Sequence, residues 1–315
     1  GHRAYLRNRQ LAQMASAGDA DGQVGVIVAE GTITGGNEPG EVGEATAELI
    51  RNAREDAELD ALVLRVNSPG GSAFFSEVVR RELELAQLSG KPVVVSMGGV
   101  AASGGYWISA TADRILAEAD TITGSIGIFG LLPTFEDSAD AVGIHSDGVG
   151  THALSGAGNL LQPINPALRD MLQLATEHGY ERFLDVVARG REMEPDAVDE
   201  IGQGRVWLGR TAMELGLVDQ LGGLDEATSA AAELAGLEDW RMDYLEPPRS
   251  PRQILMEQLF GGAAAGLVAG LLDGPTARDL RSAVAWIDRP LDLLQQLQDP
   301  AGVYALCAGC PVRTD

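Results

Sequence analysis

Between residues 24 and 234 the apolar positions change period several times, and each change marks an element. Residues 24–29 form a short β-branched run, followed by a glycine-rich turn and a helical stretch over 44–54. Residues 61–66 read as a second strand, ending in Asn67-Ser68-Pro69-Gly70-Gly71. An amphipathic helix is predicted over 76–88. Gly90-Lys91-Pro92 breaks it, and 93–97 is a third strand. Alternation of this kind predicts a mostly parallel sheet covered by helices. Helical spacing returns at 101–112, a short buried strand is expected at 115–117, and further helices at 166–188, 195–201 and 224–234.

The flanks behave differently. Residues 1–22 have no sustained period and end in a Gly/Asp-rich stretch, which reads as a linker. Past Pro247 the composition shifts to Pro, Arg, Gly and Ala, with helices expected at 253–259 and 279–297. The expected organisation is therefore a linker (1–22), a main domain (23–236) and a partly helical C-terminal extension (237–315). The most apolar run, 259–272, is shorter than the ~20 residues a spanning helix needs. The charged start does not read as a signal peptide, so the chain as given is expected to be soluble, with any anchor outside it.

Charge narrows the partners. A net charge of −23 on 315 residues excludes nucleic acid, and also adhesion to anionic lipid through a basic patch. Of the 23 basic residues only one, Lys91, is a lysine. The two cysteines, Cys307 and Cys310, form one C-x-x-C, which cannot complete a four-ligand zinc site. They read as a frayed tail with a disulfide or two idle thiols, or less simply as a redox motif. Neither a metal nor a cofactor is expected.

Three glycine-flanked segments follow predicted strands, where α/β folds commonly place their sites. The first, Pro69-Gly70-Gly71-Ser72, can leave successive amides pointing one way, or can be a plain turn with Ser72 capping a helix. The second centres on Ser103, between Gly98-Gly99 and Gly104-Gly105; a serine there could be a nucleophile or a helix cap. The third, Thr123-Gly124-Ser125-Ile126-Gly127, could orient a base or simply turn the chain.

Taken together, V-L-R-V-N-S-P-G-G-S at 63–72, K-P-V-V-V-S-M-G-G-V-A-A-S-G-G-Y-W-I-S at 91–109, T-I-T-G-S-I-G-I-F-G at 121–130 and R-V-W-L-G-R-T-A-M-E-L-G-L-V-D at 205–219 closely resemble the signal peptide peptidase A (protease IV) family. The resemblance implies an α/β fold of the Clp protease/crotonase type, built from repeated ββα/βαβ units. It implies Ser103 as nucleophile, the amides of Gly70, Gly71 and Gly104 as oxyanion hole, and Ser125 as the serine that positions a general base. An apolar channel near Tyr106, Trp107 and Phe129 would take peptide substrates as an added strand. The family's general base is a lysine. In short members it lies in a K-S-G-x-x-K stretch, where this chain reads Thr151-His152-Ala153-Leu154-Ser155-Gly156-Ala157-Gly158. Lys91, at the far end of the third strand, is expected to be a solvated loop residue more than ~15 Å from Ser103. The chain resembles the C-terminal, serine-bearing repeat of the long form, whose lysine belongs to the N-terminal repeat. A lysine-bearing partner segment or subunit, a homo-oligomer and membrane association on the extracytoplasmic side are what this implies. His145, His152 and His178 are not placed to complete a Clp-type triad. Two rival readings share the fold: a non-catalytic assembly module, and an acyl-CoA enzyme of the crotonase type.

Overall fold

The computed structural model describes residues 21–35, 41–246, 299–300, 302–307 and 309–310. Most of the expected linker and both expected tail helices lie outside the described residues. Strand β1 (Gly22–Glu30) pairs in parallel with β4 (Ala61–Ser68), and β4 pairs in parallel with β6 (Val93–Ala102). Between these strands run helices α1 (Glu44–Glu55) and α2 (Ala73–Leu88), and the short strands β2 (Thr32–Ile33), β3 (Glu41–Val42) and β5 (Gly70–Ser72). Beyond β6 come α3 (Gly104–Trp107), β7 (Arg114–Ala117), β8 (Ile122–Gly124), β9 (Phe129–Gly130), α4 (Glu136–Ala141), α5 (Pro166–Arg191), α6 (Pro195–Ile201) and β10 (Val206–Leu208). The chain continues through α7 (Gly209–Glu214), β11 (Gln220–Leu221), α8 (Leu224–Leu234), β12 (Trp240–Tyr244) and finally β13 (Val303–Leu306).

The main sheet has the order β10-β8-β6-β4-β1-β12, with β7 also beside β6 and β11 beside β7. Both its faces are buried, as a parallel sheet requires. Leu62, Leu64 and Val66 of β4 join one core with Ile50 of α1 and Val79 and Leu83 of α2. Ala61 and Val63 join the other core, under Ala227 and Ala231 of α8. A second sheet, β3-β2-β5-β13-β9, lies at the end of the first. This is an α/β architecture built on a mostly parallel sheet, as the alternation of elements predicts.

Two expectations need correction, and both concern the approach to Ser103. The third strand runs to Ala102 instead of stopping near Met97. Between the pairs Val66↔Met97 and Ser68↔Ala101, β6 carries two residues more than β4, a bulge formed around Gly98 and Gly99. The Asn67 side chain bridges the gap by accepting from the Val100 N–H at 3.2 Å. Those glycines interrupt the apolar pattern, and so hide the last part of the strand from its periodicity. The helix expected over 101–112 is only the four residues of α3.

Helix α2 explains itself locally. The Ser72 hydroxyl accepts from the Phe75 N–H at 3.2 Å, capping a helix that begins three residues earlier than its apolar spacing suggested. Arg80, buried, lies between Glu77 and Glu84. Burial pushes the Glu77 carboxyl up, but hydrogen bonds from Arg80 and Trp107 outweigh it and hold the group below its ordinary value. A depressed carboxylate contributes stability that is present above its unfolded pKa and lost as pH falls through the folded one. Glu77→Gln should therefore cost about 1–3 kcal/mol at neutral pH, and less below about pH 4, as read by urea melts across pH.

Candidate catalytic cleft

Strand β6 delivers Ser103 into a conformation serine rarely takes, φ 55° and ψ −115°. Such a backbone costs about 1–3 kcal/mol and persists only where its surroundings enforce it. Here the Ser103 N–H donates to Gly124 O at 2.8 Å, tying the bend to the end of β8. The helix-cap alternative can be dismissed, because the Ser103 side chain makes no capping hydrogen bond to α3. The residue is only 1% exposed. Ser125 also has positive φ, 51°, and its N–H donates to Arg205 O at 2.7 Å, so the third motif is a second enforced bend beside the first.

The glycines meet Ser103 from the other side. Gly70 has φ +94°, and a methyl there would lie 2.5 Å from the Gly104 amide nitrogen and 2.1 Å from Ala305 O. A methyl on Gly104 would lie 3.0 Å from the same Ala305 oxygen. That oxygen belongs to β13, which pairs antiparallel with β5 as Ala305↔Gly71 and Leu306↔Gly70. The Cys307 N–H donates to Pro69 O at 2.8 Å, which sets the phase of the ladder. Narrow pairs recur every second residue, so the Gly71 N–H faces Ala305 C=O. The Gly104 N–H opens α3 and has no acceptor within its helix. A backbone carbonyl thus sits among Gly70, Gly71 and Gly104. The Gly70 amide itself donates to the Ser68 hydroxyl at 3.1 Å. The Gly70 amide is thus already engaged, and what the turn requires at Gly70 is the absence of a side chain.

Next to this pocket is a cleft of about 910 Å³, lined by Ser125, Ile128, Phe129, Tyr180, Val206 and Leu306 among others. Phe129 therefore lines this cleft. Tyr106 does not. It is fully buried and its hydroxyl donates to Leu217 O at 2.8 Å, because α3 turns it into the core. Trp107 is likewise packed on Phe183, with ring centroids 4.5 Å apart. Tyr106→Phe should cost about 1–2 kcal/mol in a thermal melt and leave peptide affinity unchanged; a loss of affinity would restore it to the channel.

The base is missing from these residues. Lys91 donates to the carbonyls of Ala53 (2.9 Å) and Asp56 at the end of α1, and burial lowers its pKa. It is a helix-end clamp and not the freely solvated loop residue expected, and it stands at the opposite end of β6 from Ser103. His145 and His178 are exposed, and His152 also lies on the surface. In the cleft itself Tyr180 is the one titrating side chain among the described lining residues. Burial and its bond to Asp199 push it up to about 12, so it holds its proton at neutral pH.

Residues 86–238, which include Ser103 and Ser125, match peptidase family S49. Protease 4 of Salmonella typhi is 46% identical over 297 residues, covering 93% of this chain and 47% of that protein. Protease 4 of Haemophilus influenzae is 41% identical over 297 residues, covering 91% and 47%. A Synechocystis sp. protein named as a protease is 34% identical over 211 residues, and the match spans 66% of this chain and 74% of the relative. The chain belongs to peptidase family S49. Within that family it corresponds to the signal peptide peptidase A group, as the four motifs implied. It spans about half the length of the two Protease 4 relatives. Among its described residues no helix is long and apolar enough to cross a membrane.

Proposed function

We propose that this S49 chain is the serine-bearing part of an endopeptidase that cleaves extended apolar peptides through an acyl-enzyme on Ser103. The single observation that carries the reading is the Ala305 carbonyl. An extended strand already places a peptide C=O against the glycines that adjoin Ser103. In the reaction the Ser103 hydroxyl would attack such a carbonyl, and the N–H groups of Gly71 and Gly104 would stabilise the oxyanion. A general base must take the hydroxyl proton and pass it to the leaving amine; water then releases the acyl group. With no such base among the described lining residues of the cleft, we assign it to a lysine outside this chain, in a partner repeat or subunit. A desolvated lysine is neutral at working pH and so able to accept a proton. Ser125, at the enforced bend beside Ser103, would orient that amine.

Cleaved signal peptides are the substrates this reading favours, with a membrane-associated, extracytoplasmic homo-oligomer as the setting. The missing base equally favours a second reading, a non-catalytic assembly module. An assay of peptide cleavage separates them. The chain alone should be at least about 10²-fold slower than the chain mixed with a lysine-bearing first repeat, the size of a typical general-base contribution. Equal, negligible rates with and without that repeat would favour the assembly module.

A further inference from the structure

The glycines beside Ser103 lie under the chain's own C-terminal segment. Strand β13 lies antiparallel between β5 and β9, in the position an added peptide strand would take. Three anchors hold it there. Upstream, the buried Asp299 carboxylate accepts from the Ser72 hydroxyl, from the Phe74 N–H at 3.1 Å and from the Val303 N–H at 3.2 Å, fastening the segment to the start of α2. In the middle, the Tyr304 ring lies 5.8 Å from that of Phe129. Downstream, Cys307 and Cys310 are joined by a disulfide and packed against Val100, Ala102 and Ile122. The small loop they close forms a wall of the cleft that holds Ser125. The tail expected to be frayed is therefore docked on the site.

We propose that Val303–Leu306 is an inhibitory strand bound in cis, occupying the peptide groove until displaced, with the Cys307–Cys310 disulfide as its plug. The inference rests on reading this groove as a peptide site. Five backbone pairs and three side-chain anchors are a modest hold for so short a strand. Because the strand is tethered, however, its effective concentration is in the millimolar range, which a free peptide must overcome. Loosening an anchor should therefore show as easier entry of a peptide supplied from outside.

The test uses the full chain and a fluorescein-labelled synthetic peptide with the sequence of residues 299–306, followed by anisotropy. Three forms are compared: the oxidised chain, the chain treated with dithiothreitol, and the Cys307→Ser/Cys310→Ser double variant. Dithiothreitol supplies two electrons and two protons to the disulfide and itself ends as the cyclic disulfide. The reduced and serine forms should bind the peptide at least tenfold more tightly than the oxidised chain. Their amides at 71–72 and 129–130 should also exchange faster with deuterium, with the melting of the main domain unchanged. Equal affinity and equal exchange in all three forms would overturn the proposal, since β13 would then be a permanent member of its sheet. Asp299→Asn gives a second route that leaves the disulfide intact, with the same expected direction. The peptidase reading fails separately. If the opened forms bind the peptide but no lysine-bearing repeat elicits cleavage, the cis strand stands and catalysis does not.

Discussion

Replacing Ser103 by glycine is expected to abolish peptide cleavage in the complemented enzyme while making the chain more stable. The loss should be at least about 10³-fold, because removing a nucleophile leaves only the rate that binding and the oxyanion amides provide. The gain comes from the backbone. Serine at φ 55°, ψ −115° is strained, whereas glycine enters that region freely. No side-chain capping bond is lost in exchange. Relief of about 1 kcal/mol should raise Tm by about 2–4 °C. Ser103→Ala is the control. It removes the same hydroxyl but retains a Cβ, so its activity should be equally low and its Tm nearly unchanged. A large fall in Tm for either variant would mean that the hydroxyl holds the structure together.

Gly70→Ala should damage both the fold and the candidate site. The added carbon would lie 2.1 Å from Ala305 O and 2.5 Å from the Gly104 nitrogen, and both neighbours are backbone. The residue's φ of +94° adds strain that alanine cannot avoid. Either β13 leaves the groove or the Gly104 amide moves away from Ser103. A destabilisation of about 2–4 kcal/mol is expected, with Tm lower by several degrees and cleavage at least about 10²-fold slower. Calorimetry and the complemented peptide assay read the two effects separately. A variant with wild-type Tm and wild-type rate would show that these groups are not crowded around one carbonyl.

Much of this site could be read from the residues because small side chains leave a strong signature. Gly70, Gly71, Ser103, Gly104 and Ser125 all stand at chain bends, and four of the five have positive φ. The central strands were equally visible, since β1, β4 and β6 are apolar on both faces. What escaped had physical causes. The bulge at Gly98 and Gly99 has no side chains to carry a period, so β6 seemed to end short of Ser103. Tyr106 looks like a channel residue by its neighbours in sequence, but a single short turn directs it into the core. The docking of β13 was hidden because its four residues, Val303–Leu306, pair with segments more than 170 positions away. The cysteines gave the one available signal, as a disulfide loop needs something to rest on.

The most direct measurement treats the chain, together with a lysine-bearing first repeat, with a serine-directed phosphonate and locates the adduct by peptide mass mapping. One adduct is expected, on the peptide that contains Ser103, and none in Ser103→Ala. An adduct on Ser125 or elsewhere, or one undiminished in that variant, would contradict the assignment of Ser103 as nucleophile.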